Sequence, residues 1–138
     1  HGEALLPVTG NSMWPLLVGG RDMVRLARPD RRAQPGDIAL YQKADGSYIL
    51  HRVIRLCAPE TCICCGDAQW EGEQVDEAQI IAYVTAFRRK GRWRETALSR
   101  PYRLYEHFWI HTFPARRPLL RLLRFLQRAR RGLIRGRR

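Results

Sequence analysis

The sequence contains no apolar run near the length of about 18 residues that crosses a bilayer, and it does not open with a charged segment followed by an apolar one. We therefore predict that the chain neither spans a membrane nor carries a secretion signal. Its 138 residues suffice for one modest core. Two independent domains are not expected.

Acidic residues are scarce toward the C-terminal end. Residues 101–138 hold eleven arginines and one acid, Glu106, whereas residues 1–100 carry 14 basic and 12 acidic side chains. The net charge of +12 therefore belongs mostly to one terminal segment. Such a segment can dock on phosphates of any source, whereas a basic surface over the whole domain would indicate nucleic acid.

Cysteine is confined to the segment CAPETCICC, from Cys57 to Cys65. Its spacing lacks the paired C-x-x-C knuckles that favour tetrahedral zinc, so we expect no metal and no other cofactor. The favoured interpretation places Cys62 and Cys64 on one face of a strand and Cys65 on the other. A structural metal and a Cys57–Cys62 disulfide are the alternatives. Clustered thiols fit a reducing compartment slightly better than an oxidising one.

Apolar and polar residues alternate with the period of a strand in several segments. The pattern predicts strands at residues 4–8, 22–28, 37–42, 47–56 and 79–87, and TCICC is expected to be the return strand of a hairpin. Tight turns separate these segments, and no β-helix-β alternation is present. We therefore expect a mainly β fold with an antiparallel, barrel-like sheet.

After residue 100 the pattern changes to that of helices. YRLYEHFWIHTF predicts one aromatic helix, and Pro118 stands where a second helix would begin. The second helix is amphipathic, with leucines on one side and an arginine stripe on the other, and Arg130 is the one misfit. The stripe consists of Arg121, Arg124, Arg128, Arg131 and Arg135. We expect a β domain over residues 1–97 and an arginine-rich helical tail over residues 98–138.

Ser12 is the candidate nucleophile of this chain. A serine hydroxyl attacks only when a base takes its proton, so the role requires a partner on a neighbouring element. Lys43 and His51 both lie on the predicted hairpin, and we favour His51 because its unperturbed pKa of about 6.5 suits a base at neutral pH. Asp67, in a Gly-Asp turn, offers a carboxylate to orient the imidazole. The alternative is that all three residues have only structural roles in turns and strands.

Four segments, in this order, resemble the boxes of signal peptidase I and the LexA-type serine peptidases. GNSMWP is similar to their nucleophile box, PGDIALY to the second box, YILHRVI to the general-base strand, and CCGDAQ with QVDEAQIIAYV to the GDN box and its trailing strand. His51 stands where bacterial signal peptidases carry lysine and the endoplasmic-reticulum type carries histidine. The resemblance covers roughly residues 8–90 and is nearest to small bacterial members without a membrane-spanning anchor.

This resemblance implies a signal peptidase/LexA-like catalytic domain and a serine endopeptidase that removes a signal or leader segment by acyl transfer. Ser12 would be the nucleophile and His51 the general base. Asp67 is the first choice for the third member. GDA replaces the commoner GDN. The acid that follows at short range in signal peptidases also has no single match, and Glu71, Glu73 and Asp76 compete for it, with Asp76 as the reserve third member.

The resemblance also leaves the oxyanion hole incomplete, because Gly10 stands where signal peptidases have a serine or threonine. The hole would then depend on the backbone N–H of Ser12, with the Thr9 or Asn11 side chain as a second donor. We expect Met13 and Trp14 to shape the apolar substrate cleft or the core.

The expected partner is a peptide or preprotein substrate that binds as an extended strand. For the tail we expect an interfacial helix whose arginine stripe meets an anionic membrane, or a helix whose leucines pack on the sheet. Nucleic acid is not favoured, because no base-reading motif accompanies the arginines. We predict a cytoplasmic or peripheral-membrane bacterial protein. The alternative function is a non-catalytic peptide- or nucleic-acid-binding regulatory module on the same fold.

Overall fold

The period-two segments of the sequence form an antiparallel sheet in a computed structural model, which describes residues 2–136. The strands are β1 (Glu3–Pro7), β2 (Met23–Ala27), β3 (Ile38–Gln42), β4 (Tyr48–Cys57), β5 (Thr61–Cys65), β6 (Glu73–Asp76), β7 (Ile80–Arg89) and β8 (Arg92–Glu95). Two helices follow, α1 (Arg100–His111) and α2 (Arg116–Arg135). Single-turn 3₁₀ helices at Glu77–Gln79 and Phe113–Ala115 precede β7 and α2.

The strands pair in the order β1-β2-β7-β3-β4-β5-β6, and β8 pairs with β7 outside this path. Every pairing is antiparallel, so the predicted mainly β, antiparallel fold is confirmed. The predicted barrel-like closure is wrong for the described range, residues 2–136, in which no ladder joins β1 to β6. Both strands are short and end the sheet as edges, so the sheet stays open.

Strands β6 and β8 have no counterpart among the predicted elements. Every residue of β8 is exposed, and Val75 is the one fully buried residue of β6. Strands without a buried face have no alternating pattern and are held by backbone pairing with their neighbours. β8 follows a tight hairpin in which Lys90 and Gly91 have φ angles of 52° and 79°, the sign that the favoured two-residue hairpin turn requires.

The sheet buries two apolar clusters. One lies between the Ser12 segment, β2 and β7 and includes Tyr102 of α1. The other lies between β3, β4, β5 and β6 and includes Cys62 and Cys64, whose sulfurs are 3.7 Å apart. Cys65 turns away and contacts backbone oxygens of Gly66 and Glu71. The predicted facing of the three cysteines is therefore confirmed, and all four thiols are free.

The two helices differ in how they meet the sheet. α1 buries Tyr102 and Trp109, so its aromatic pattern reflects packing on the β core. α2 buries Arg116 and Leu120 at its start, but further along the helix Leu122, Leu126 and Leu133 are more than half exposed. The alternative in which the whole leucine face packs on the sheet is therefore wrong. Neither helix of residues 2–136 combines the length and apolarity needed to cross a bilayer.

Candidate active site

Ser12 lies in the turn segment between β1 and β2, half-buried at its outer edge. Two buried side chains of the same segment, Met13 and Leu17, anchor it in the core, and the Leu17 N–H donates to the Met13 carbonyl at 3.0 Å. Gly10 has a φ of +71°, and a β carbon on Gly19 would collide with the Gly10 backbone. This close approach of two backbone segments fixes the position of the turn that carries Ser12.

Gly66 brings the Ser12 turn and His51 together. The N–H of Ala68 donates to the Ser12 carbonyl oxygen at 2.9 Å, which ties the turn to the end of β5. A β carbon on Gly66 would collide with that same oxygen and would lie 3.1 Å from His51 Nε2. The Ser12 backbone and the outer nitrogen of His51 therefore converge on one point. The hydrogen bonds of residues 2–136 include none between the Ser12 and His51 side chains, and such contacts often tighten only when substrate is bound.

The inner nitrogen of His51 belongs to a chain of polar groups. Nδ1 lies 3.3 Å from the Tyr41 hydroxyl, and that hydroxyl donates to Glu73. Since the hydroxyl's one proton goes to Glu73, Nδ1 must carry the proton of the His51–Tyr41 bond, which leaves the lone pair on Nε2. Lys43 pairs with the other Glu73 oxygen at 3.3 Å. Tyr41 and Glu73 therefore hold the imidazole in the tautomer that a general base needs.

The pKa values of His51 and Glu73 suit proton transfer at neutral pH. Burial lowers the pKa of His51 below its usual 6.5, although the nearby charge of Glu73 partly offsets the effect. Burial alone would raise the pKa of Glu73, but hydrogen bonds from Tyr41 and Lys43 outweigh it and lower that pKa. At pH 7 the ring is neutral and Glu73 is ionised.

Two cavities meet at Ser12, Ile49 and His51. The apolar cavity, of about 270 Å³, is lined on its other sides by side chains of β1, β3 and β4 such as Leu6 and Leu40, and by Thr9 and Met13. The polar cavity, of about 360 Å³, is lined by groups that include Lys43, Glu71 and Glu73. A chain that crosses Ser12 would thus pass from an apolar to a charged environment.

Asp67 requires a correction, because its carboxylate does not reach His51. It is fully buried, accepts from Arg52 Nε and Nη2 at 2.8 and 3.0 Å, and accepts from the Tyr105 hydroxyl at 2.8 Å. His51 and Arg52 are consecutive in β4, and their side chains point to opposite faces of the sheet. Asp67 sits on the Arg52 side, so the prediction that it orients the imidazole is wrong.

The reserve residue, Asp76, is also misplaced for that role. It lies exposed at the far end of β6, where it pairs with Thr61, and its N–H donates to the Gln79 side chain at 2.9 Å. Glu73 begins the same strand opposite Cys64 and is the member of the three candidate acids that joins the His51 chain.

The remaining predicted site residues fall in different places. Thr9 is exposed at the rim of the apolar cavity, and Asn11 Oδ1 accepts from the Gly19 N–H at 3.3 Å. Trp14 is half-buried, and the central carbon of the Arg124 guanidinium lies over the Trp14 ring, 6.0 Å from the ring centre. The five arginines of the predicted stripe are all exposed on α2: Arg121, Arg124, Arg128, Arg131 and Arg135.

Sequence reasoning missed Tyr41. The signal was present in the register, because Ala39 lies opposite His51 and Tyr41 is two residues further along β3 on the same face. Diagonal neighbours of this kind are within reach of aromatic side chains. Finding the contact required the pairing of β3 with β4, which the hairpin turn predicted only approximately.

In the part of the chain that the structure describes, no group of three or more His, Cys, Asp or Glu side chains is placed to hold a metal ion. No protein-family model matches this sequence, and no curated protein matches it either.

Proposed function

We propose that the protein is a serine endopeptidase on a signal peptidase/LexA-like fold, which removes a signal or leader segment from a peptide or preprotein. The observation that carries this proposal is the convergence of the Ser12 turn and His51 Nε2 at Gly66. The chain from His51 through Tyr41 to Glu73 supports it further, because it leaves Nε2 as the basic nitrogen. The ordered sequence boxes favour the same reaction.

The reaction is acyl transfer. His51 Nε2 takes the Ser12 proton, and the resulting alkoxide attacks the scissile carbonyl carbon. The backbone N–H of Ser12 donates to the oxyanion, and the second donor is the Thr9 hydroxyl or the Asn11 amide N–H, because Gly19 engages only the oxygen of the Asn11 side chain. His51 then protonates the leaving amine, and water hydrolyses the acyl-enzyme with the ring again acting as base.

Tyr41 and Glu73 act during the charged stages of this cycle. When His51 becomes an imidazolium, its Nδ1–H bond to Tyr41 and the ionised Glu73 behind it stabilise the positive charge. General-base catalysis of this kind contributes about 10²–10⁴-fold to rate. Glu73 therefore takes the orienting role that Asp67 does not fill.

The substrate binds as an extended strand beside β1. That strand pairs with β2 on one side only and ends next to the apolar cavity, so its free edge can accept backbone hydrogen bonds from a peptide. The apolar cavity, lined by Leu6 and Leu40, then receives small or apolar side chains near the cut.

We also propose that α2 holds the protein on an anionic membrane, as a peripheral bacterial protein. Leu122, Leu126 and Leu133 form an exposed apolar face, and Arg130, which lies on the leucine side of the helix, contributes about 1 kcal/mol beside anionic headgroups. The test compares co-sedimentation of the full chain and of the Leu122→Gln, Leu126→Gln double variant with phosphatidylglycerol vesicles. Weaker binding by the variant supports membrane docking, and equal binding contradicts it.

The proposed activity is tested with a pool of leader peptides rich in small residues, with cut sites identified by mass spectrometry. We expect Ser12→Ala and His51→Ala to cut at below about a thousandth of the wild-type rate. Ser47→Ala and His107→Ala, at exposed positions away from the site, are the matched controls and should cut normally. Folded Ser12→Ala protein that cuts as fast as wild type would overturn the proposal and favour a non-catalytic peptide-binding module.

A further inference from the structure

A groove of about 630 Å³ lies between the Ser12 turn, the β7–β8 hairpin and α2. Six basic side chains line it, and among the described residues no acidic one does. We call it the cationic groove and define it by Arg21, Arg89, Lys90, Arg124, Arg128 and Arg131. Three elements that are distant in sequence thus bring charges of one sign to one concave surface.

Most of this charge has no partner within the chain. Arg21 forms an ion pair with Asp22 at 2.8 Å, but the ion pairs of residues 2–136 include none for the other five basic residues of the groove. A concave wall of like charge focuses the electrostatic field and attracts the opposite charge. The groove is therefore suited to a ligand with several negative charges.

The groove adjoins the candidate nucleophile. Its lining includes Asn11 and Trp14 from the Ser12 turn, and Ala68, whose N–H holds the Ser12 carbonyl. An extended peptide advances about 3.3 Å per residue, so a chain that crosses Ser12 reaches the groove within a few residues. The ligand of the groove and the ligand of the site can therefore be parts of one molecule.

The orientation of α2 favours a peptide over a lipid headgroup as the ligand of the cationic groove. At 100° per residue, Arg124, Arg128 and Arg131 lie on the opposite side of α2 from Leu122, Leu126 and Leu133. A bilayer that takes up the exposed leucines would have the groove on the far side of the helix, facing the β body. Headgroups of that bilayer would not enter it.

We propose that the cationic groove binds an acidic segment of the peptide substrate, a few residues from the scissile bond. The inference rests on the proposed function, because that function makes the ligand a peptide that passes Ser12. Substrates with aspartate or glutamate at this distance from small residues would be preferred. The groove would supply charge selectivity that the apolar cavity does not.

The test measures binding, so that it does not depend on cleavage. Full-length Ser12→Ala protein is titrated against a fluorescein-labelled peptide with a small-residue core and a flanking Glu-Ser repeat, and against its Gln-Ser counterpart, by fluorescence anisotropy at low and physiological salt. Two double variants are compared in the Ser12→Ala background. The groove pair carries Arg128→Gln and Arg131→Gln, and the outer pair carries Arg121→Gln and Arg135→Gln, which lie on α2 outside the groove. Both pairs remove the same charge, and Arg124 is kept because it contacts Trp14.

We expect the Glu-Ser peptide to bind more tightly than the Gln-Ser peptide, and the difference to shrink with salt. The groove pair should weaken Glu-Ser binding about fivefold and the outer pair less than about twofold. Equal losses in both pairs would overturn the proposal, because the effect would then be that of net charge. The proposal would also be overturned if the groove pair lost binding to phosphatidylglycerol vesicles but kept its binding to the Glu-Ser peptide.

The two proposals fail separately. If wild type cuts leader peptides with no preference for an acidic segment and the two peptides bind alike, the groove proposal is wrong and the peptidase stands. If the Glu-Ser peptide binds in the groove but wild type cuts no peptide, the groove remains an acidic-peptide site and the peptidase proposal is wrong.

Discussion

Two polar networks lie back to back across β4, and they differ in how fully their charges are satisfied. On one face Arg52 and Asp67 are both completely buried and joined by two hydrogen bonds. On the other face His51 bonds through Nδ1 to Tyr41, while Nε2 faces the convergence point at Gly66 between two cavities.

The Arg52 network works as an anchor for α1. Arg52 also donates to the Gly36 carbonyl and the Tyr102 hydroxyl, and Asp67 receives the Tyr105 hydroxyl on its side chain and the Trp109 indole N–H on its carbonyl. The Asp67 carboxylate cannot exchange a proton with a substrate, because both it and Arg52 are completely buried and paired with each other. The fully paired Asp67 carboxylate therefore indicates a structural role. The His51–Tyr41–Glu73 chain leaves Nε2 of His51 unbonded, which indicates a role in proton transfer.

The largest effect should follow from Asp67→Asn, which leaves Arg52 charged and unpaired in the core. We expect the free energy of unfolding to fall by about 3–5 kcal/mol, measured by urea denaturation. Glu95→Gln is the control, because it breaks an ion pair with Arg25 at 3.6 Å whose acidic side chain is 53% exposed. That change should cost about 1 kcal/mol or less. Similar losses for the two variants would show that burial does not distinguish these ion pairs.

An intermediate effect is expected from Gly66→Ala, at the junction of the two networks. The new β carbon must push away the Ser12 carbonyl or His51 Nε2. We expect this displacement to cost about 1–3 kcal/mol in stability. The cleavage rate should fall about a hundredfold or more, because small displacements of catalytic groups lower the rate steeply. Gly132→Ala is the control, because a β carbon there has open space in α2. It should leave cleavage unchanged. Full activity in folded Gly66→Ala protein would contradict the assigned geometry.

The smallest effect on stability should come from Glu73→Gln, whose side chain is 38% exposed. We expect less than about 1 kcal/mol of stability to be lost. Activity should nevertheless fall about tenfold or more, because the imidazolium loses its ionised partner.

The pH profile sharpens this prediction. Wild-type kcat/KM should rise through the pKa of His51, below 6.5, and then stay level. Glu73 raises that pKa by its charge, so Glu73→Gln should move the inflection to lower pH. Glu71→Gln, which lines the same polar cavity but is exposed and outside the His51–Tyr41–Glu73 chain, is the control. An unmoved inflection in Glu73→Gln protein would remove Glu73 from the mechanism.

Most strands could be predicted from the sequence, because a half-buried strand has an alternating pattern. The segments at 22–28, 37–42, 47–56 and 79–87 correspond to β2, β3, β4 and β7 within a few residues. β6 and β8 could not be predicted in this way, since most or all of their residues are exposed and backbone pairing alone holds them. The open sheet was equally beyond pattern reasoning, because closure depends on whether two distant edges meet.

The sequence by itself determined the candidate pair, Ser12 and His51, and the amphipathic character of α2, because nucleophile chemistry and helical periodicity are properties of local residue types. Only the tertiary structure decided which acid each buried group meets. The place of Asp67 in the sequence predicts that it meets His51, but burial and strand alternation pair it with Arg52 and leave His51 to Tyr41 and Glu73. The physical reason is that the pairing of charges depends on register and burial across several strands, and neither is a property of any one segment.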